Sequence, residues 1–177
     1  MTTATTPPPK LKLPAELRPE QVTAIIDTRE QTPLNLEPLQ VVLGTLATGD
    51  YSIQGLQDVI AIERKSLGDM LSCVGTSRAR FDREVQRLLA FPVRALVVEA
   101  SWADIEAGEW RSKVTPKAAE GSLLGWVAQG LPVIMAGSHE RAGRYVARLL
   151  FIAARRQWRQ LRALANVTPS AAPETGT

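Results

Sequence analysis

Apolar positions fall in short runs separated by polar turns, and two periods alternate along the chain. Val22 to Ile26 (VTAII) reads as a short buried strand that delivers Asp27-Thr28-Arg29-Glu30 at its end. The next segment, 31–40, holds Pro33 and Pro38 and reads as a loop. Val41 to Leu46 predicts a second strand leading into Gly49-Asp50. Two further strand-like runs flank the polar span Gln54-Gly55-Leu56-Gln57-Asp58, a hairpin pattern; the first begins at Gly49-Asp50-Tyr51 and the second ends in Glu63-Arg64-Lys65. After Lys65 the period becomes helical. Leu67 to Val74 is one helix, broken near Gly75, and a second runs from about Ser77 to Ala90 with Phe81, Val85, Leu88 and Leu89 on its core face. Pro92 ends it, and Val93 to Glu99 is a near-continuous apolar run, the mark of a strand buried on both faces. The stretch 101–113, with Trp102 and Trp110, reads as a partly mobile connection. Thr115-Pro116 is a helix start and Gly130 a stop. Leu131 to Ala136 is the last strand, and a long helix begins near His139. This order predicts a three-layer α/β domain with a mixed central sheet flanked by helices. The Thr/Pro-rich arm over 1–19 and the Ala/Pro/Thr-rich tail over 165–177 are expected to be disordered.

The chemistry concentrates between Gly49 and Asp69. Side chains alternate across a strand, so Glu63 and Lys65 share one face and Arg64 takes the other. If the two hairpin strands pair, Asp50 and Glu63 converge with Lys65 beside them. Two carboxylates supply hard oxygen ligands for a divalent metal, and the ammonium stands near an attacking water or a phosphate. The competing reading is a solvated strand end whose charges pair with one another. Glu99, at the end of its strand, is either structural or a neighbour of the same site.

Gly49-Asp50, then Glu63-Arg64-Lys65, three residues, and Asp69 together resemble the signature of the XPF-type nuclease domain, the catalytic module of structure-specific DNA endonucleases. Asp50…Glu63-x-Lys65 also resembles the looser pattern of the restriction-endonuclease-like superfamily. The resemblance spans about Val22 to Leu164, so 20–164 is expected to be the nuclease domain. It implies a restriction-endonuclease-like fold and metal-dependent hydrolysis of DNA at flaps, forks or other branched structures, with Mg²⁺ or Mn²⁺. By that resemblance Asp27 joins Asp50 and Glu63 as a metal ligand. Lys65, Glu63, Asp50 and Arg64 form the catalytic set, with Arg64 in an orienting role and Asp69 as its expected partner. Glu30, Arg29, Asp69 and Arg80 are supporting groups, Arg80 because Arg80-Phe81-Asp82-Arg83-Glu84 resembles a family element. The family's helix-hairpin-helix domain has no room after residue 164, so the domain is expected to stand alone. Some relatives have lost the catalytic set and serve as DNA-binding or scaffold subunits, which is the alternative reading.

Charge adds a second feature. The chain carries 21 Lys and Arg against 18 Asp and Glu, a net +3 over 177 residues. Its distribution matters more than its sum. Arg141, Arg144, Arg148, Arg155, Arg159 and Arg162 fall within about 60° of arc on one helix. From Glu140 to Leu164 seven arginines face one acid, a local +6. This ridge, on the order of 35 Å long, suits a DNA backbone, with Arg148, Arg155 and Arg159 as its expected contacts. Ile152 falls with them, so a solvated or packed face, or a homodimer or heterodimer interface, stays open. One cysteine, Cys73, excludes an internal disulfide, and one histidine, His139, excludes a His-built metal site. No apolar run is long enough to cross a bilayer, and Met1 to Lys10 has no apolar core of a signal peptide. No membrane association is expected, and the protein is expected in the cytoplasm of a prokaryotic or phage-infected cell.

Overall fold

The two periods of the sequence resolve into strands and helices that stack in three layers. The computed structural model describes residues 13–167. Six strands form one sheet: β1 (Thr23–Asp27), β2 (Gln40–Gly44), β3 (Tyr51–Ile53), β4 (Ile60–Lys65), β5 (Val93–Val98) and β6 (Val133–Met135), in the order β2-β1-β3-β4-β5-β6. β3 runs antiparallel to both β1 and β4, and the other neighbours are parallel. The sheet is therefore mixed, as expected. The β3–β4 hairpin sits at its centre, because its turn is too short for anything but an antiparallel pair.

Strand alternation splits the core in two. Ala24, Ile26, Tyr51, Ile53, Ile60 and Ile62 point to one face, which α5 (His139–Val167) covers with Ala142, Val146, Ala147, Leu150, Ala153 and Ala154. The loop before β2 fills the rest of that layer with Leu34, Leu36 and Leu39. No helix forms there; Leu34 N–H donates instead to the buried Tyr51 hydroxyl at 3.0 Å. Ala61, Leu96 and Val98 point to the other face, under α1 (Leu67–Val74), α2 (Arg78–Leu89) and α4 (Pro116–Ala128). Cys73 is a buried member of this second core, and burial pushes its thiol up to about 11, as befits an inert core residue.

The helix boundaries follow local chemistry. Ser66 caps α1 by accepting from Asp69 N–H at 3.1 Å, and Thr115 caps α4 by accepting from Ala118 N–H at 3.2 Å with Pro116 in the first turn. The connection expected over 101–113 is corrected. It contains α3 (Trp102–Ala107), because Ser101 and Asp104 cap each other reciprocally and Gly108 ends the turn in the left-handed conformation. Trp110 then pins the following loop by donating from Nε1 to Val114 O at 2.7 Å.

Most of the arm expected over 1–19, and the tail after 167, lie outside the described residues. Residues 13–19 lie against the far end of α5, where Trp158 Nε1 donates to Pro14 O at 3.3 Å and Arg162 donates to Ala15 O. α5 itself continues to Val167, past the boundary at 165 set from composition. Among the described residues no helix is long and apolar enough to cross a membrane.

Two glycines test this packing in opposite directions. A Cβ on Gly143 of α5 would meet Asn35 O at 2.5 Å, because the loop backbone rests on the helix there. A Cβ on Gly125 of α4 would meet nothing within 4 Å. Gly143→Ala is expected to cost about 2 kcal/mol. Gly125→Ala is expected to stabilise by about 0.5–1 kcal/mol through helix propensity. Urea unfolding measures both, and equal signs would refute this account of the α5 contact.

Candidate metal and phosphate site

The register builds the site. Ile26 pairs with Tyr51 and Tyr51 with Ile62, so one residue further along Asp27, Asp50 and Glu63 form a row across β1, β3 and β4. Neighbours in such a row lie about 4.8 Å apart. The backbone closes the row: Asp27 N–H donates to Asp50 O, and Asp50 N–H to Ile62 O, each at 2.8 Å. Gly49 permits this approach. It adopts φ 78°, and a Cβ there would lie 3.0 Å from Ile62 O. The glycine of the Gly-Asp pair is thus demanded by geometry twice over.

Asp50 and Glu63 share the α1/α2 face of the sheet, with Lys65 beside them. Asp50 Oδ2 accepts from Arg64 N–H at 2.8 Å. Glu63 is 1% exposed; its Oε1 accepts from Lys65 Nζ, and its Oε2 is buried without a hydrogen-bond partner. Lys65 also sits 5.5 Å from the Phe81 ring centroid, which holds the ammonium from the α2 side. Both carboxyls are pushed above the usual carboxylate range, first by burial; Asp50 then raises Glu63 further, against the lowering by Lys65. Lys65 shows the reverse balance. Burial is the largest influence and works against its charge, but Glu63, Asp50 and Glu84 together outweigh it and raise its pKa. The pair therefore has more buried negative charge than one ammonium compensates, and one oxygen with nothing bound to it. That donor set fits a small divalent cation, which takes one or two carboxylates and completes its shell with water and phosphate oxygens.

Asp27, the expected third ligand, stands in the same row with both of its oxygens bonded within the protein. Oδ1 accepts from Arg29 N–H at 2.9 Å and Arg29 Nε at 2.6 Å, and Oδ2 from Leu46 N–H at 2.7 Å and Arg29 Nη2 at 3.1 Å. Those bonds, the Arg29 side chain first, hold its carboxyl down to about 2 despite burial. Arg29 in turn donates to Leu46 O at 2.8 Å, so Asp27 and Arg29 latch the β2–β3 connection to the end of β1. Among the described residues, no three His, Cys, Asp or Glu side chains form a group arranged to hold a metal ion.

Arg64 faces the opposite side, as alternation requires, but its expected partner is wrong. It does not reach Asp69, which stays on α1 and accepts from Ser66 Oγ at 2.6 Å. Arg64 instead binds Glu99, with Nη2 at 2.6 Å and Nε at 2.8 Å from Oε1, and lies 3.5 Å from Glu30 Oε1. His139 Nδ1 is 2.5 Å from the same Glu99 oxygen. An ionised carboxylate only accepts, so Nδ1 must carry a proton directed at Glu99. Glu99 is next to Lys65 in the sheet, its N–H donating to Lys65 O at 3.0 Å. Glu99 and His139 were not assigned to the site from sequence; only the position of Glu99 at a strand end pointed there. Glu84 was also missed. It lies on α2 close enough to raise both Asp50 and Glu63. Arg80 is exposed on α2. Arg148, Arg155 and Arg159 are exposed on α5, away from the acids.

A mixed sheet with a carboxylate pair and a lysine on its central hairpin, under helices on both faces, is a restriction-endonuclease-like nuclease fold. The chain belongs to the ERCC4 domain family, whose sequence model matches residues 26–149. No curated protein matches the sequence. Among solved structures the chain is similar to XPF from Aeropyrum pernix, at 18% identity and a TM-score of 0.61, covering 80% of this chain and 69% of that one. It is likewise similar to XPF from Aeropyrum pernix in complex with DNA, at 18% identity and a TM-score of 0.62, covering 88% and 76%. At that identity the likeness is one of fold.

Two stability measurements check this electrostatic account. Asp27, with its pKa depressed, binds a proton more weakly when folded than when unfolded. Its stabilisation is complete above the ordinary value of 3.8 and is lost as pH falls through about 2. Asp27→Asn should therefore cost roughly 2 kcal/mol at pH 7, and its deficit against wild type should shrink in that acid window. Glu63→Gln removes a buried, under-compensated charge and should raise the melting temperature of the metal-free protein. A lower melting temperature would show Glu63 to be a structural ion-pair member.

Proposed function

We propose that this domain is a metal-dependent DNA endonuclease that hydrolyses phosphodiester bonds at flaps, forks or other branched DNA. The unpartnered, buried Oε2 of Glu63 beside Asp50 carries this reading. Asp50 and Glu63 would hold Mg²⁺ or Mn²⁺. When bound, such a cation polarises the scissile phosphate and lowers the pKa of a coordinated water.

The remaining roles fall to the chain itself. Lys65 keeps its proton, since Glu63 raises its pKa, so it is a fixed cation rather than a general base. It positions the attacking water and stabilises charge developing on the phosphorane oxygens. In-line attack then releases a 5′-phosphate and a 3′-hydroxyl. Arg64, clamped by Glu99 and Glu30, orients the site through its backbone, since its N–H fixes Asp50 Oδ2 while its side chain anchors on the opposite face. Asp27 and Arg29 act as the latch that keeps Asp50 in its row. The arginines of α5 supply a surface for the DNA backbone. Support also comes from membership of the ERCC4 domain family and from a similar fold, that of XPF from Aeropyrum pernix, being known in complex with DNA. The intact set of Asp50, Glu63 and Lys65 weighs against a non-catalytic scaffold subunit.

The assay is cleavage of labelled flap, fork and plain duplex DNA with Mg²⁺ or Mn²⁺. Wild type is expected to cut, and Asp50→Ala and Glu63→Gln each to lose at least about 100-fold in rate while still binding DNA. Wild-type protein that cuts none of these substrates in either metal overturns the reading in favour of a binding subunit.

A further inference from the structure

α5 begins at the site and then leaves it. His139, its first residue, bonds to Glu99, and Glu99 lies beside Lys65 in the sheet. From there the helix runs along the face opposite α1 and α2, with its inner side packed on the sheet and its arginines outward. Between α5 and the loop before β2 lies a groove of about 470 Å³. Nearby in the chain, Gly143 lets the backbone at Asn35 rest directly on the helix. Leu39, Ala147, Phe151 and Ile152 give it an apolar floor, and Arg144, Arg148 and Arg155 line it.

Three observations say what such a groove takes. Its charge is unbalanced: Glu37 is the one acid lining it, and among the described residues neither Arg148 nor Arg155 has an acidic partner. Arg144 pairs only with Glu140, one turn back and exposed, at 3.5 Å. The floor presents a flat group, since the Arg155 guanidinium already sits 5.6 Å from the Phe151 ring centroid. Ile152 remains 46% exposed beside it. Cations alone suit any polyanion, but cations around an aromatic and apolar floor suit one whose bases are free to lie on that floor. In a duplex the bases are stacked on each other and the phosphates face outward, leaving the floor unused. The volume falls in the range of about 300–1,000 Å³ common for pockets that enclose a small organic group.

We propose that the groove between α5 and the loop before β2 binds an unpaired stretch of DNA, its phosphates on Arg144, Arg148 and Arg155 and a base against Phe151 and Ile152. The proposal deepens the nuclease reading and rests on it for the substrate class. It gives a domain with a duplex-cutting centre a second, separate hold on the single-stranded arm. The spacing is defined: Arg148 and Arg155 lie nine and sixteen residues beyond His139, about 14 and 24 Å along the helix.

The test is fluorescence anisotropy in EDTA, with labelled oligo-dT and a blunt duplex of equal length. Arg148→Gln/Arg155→Gln should weaken oligo-dT binding at least about tenfold and lower its salt slope by about 1.4, with less than about threefold loss on the duplex. Phe151→Leu keeps the floor apolar but removes the ring, and should weaken oligo-dT alone by at least about fivefold. Melting curves of each variant report whether it is folded, and Arg148→Lys/Arg155→Lys should restore most of the affinity. Equal losses on both DNAs would reduce the groove to part of a general basic ridge and overturn the proposal. So would unchanged oligo-dT binding accompanied by a shift from dimer to monomer on sedimentation, which would make the occupant a second copy of the chain. Because binding is read without metal, a protein that never cuts can still bind oligo-dT through the groove. One that cuts but ignores these substitutions sinks the groove alone.

Discussion

The structure depends on keeping a buried carboxylate, Glu63, beside a half-buried one, Asp50, with a single ammonium next to them. The β3–β4 hairpin holds the two acids in register. Left alone, such a pair takes up protons or drives the strands apart. The surrounding residues answer that cost piece by piece. Arg64 N–H binds one oxygen, Lys65 another, and the Phe81 face backs the lysine. What they leave uncompensated is one buried oxygen of Glu63.

The period of two along β4 then divides labour between the faces of the sheet. Glu63 and Lys65 project into the layer of α1 and α2. Arg64 projects into the layer of α5, where Glu99 and Glu30 clamp it, and Glu99 also meets His139. One residue thus ties the backbone of the acidic row to the start of the longest helix. Because Arg64 is largely buried and multiply bonded, that tie is stiff, and the direction of α5 is fixed relative to the acids.

Much of this was legible in the sequence, and the physical reasons for the gaps are specific. Periodicity and turn residues located every strand and four of the five helices, and strand alternation placed Glu63, Lys65 and Arg64 on their faces. The arc of arginines on α5 followed from helix geometry alone. α3 escaped because six residues carry too little periodicity. Asp27 entered through the resemblance; that Leu46 N–H and Arg29 bond its oxygens is visible only in the fold. Glu99 and His139 are 40 residues apart and meet only through the packing of α5 on β5. No local pattern announces that contact. The pairing of Arg64 with Glu99 rather than Asp69 has the same origin, since sequence proximity favoured the wrong acid.

β2 deserves a different kind of reading. It is the outermost strand beside β1, and Val41, Val42 and Leu43 are all exposed, Leu43 at 72%. From Leu39 to Thr48 the chain carries no charge. Natural sheets usually guard such a border with lysine, proline or a bulge. Among the described residues none of these guards the β2 edge, which leaves its free backbone groups as a template for one more strand. A strand added there would extend the sheet away from the hairpin and leave the acidic row open.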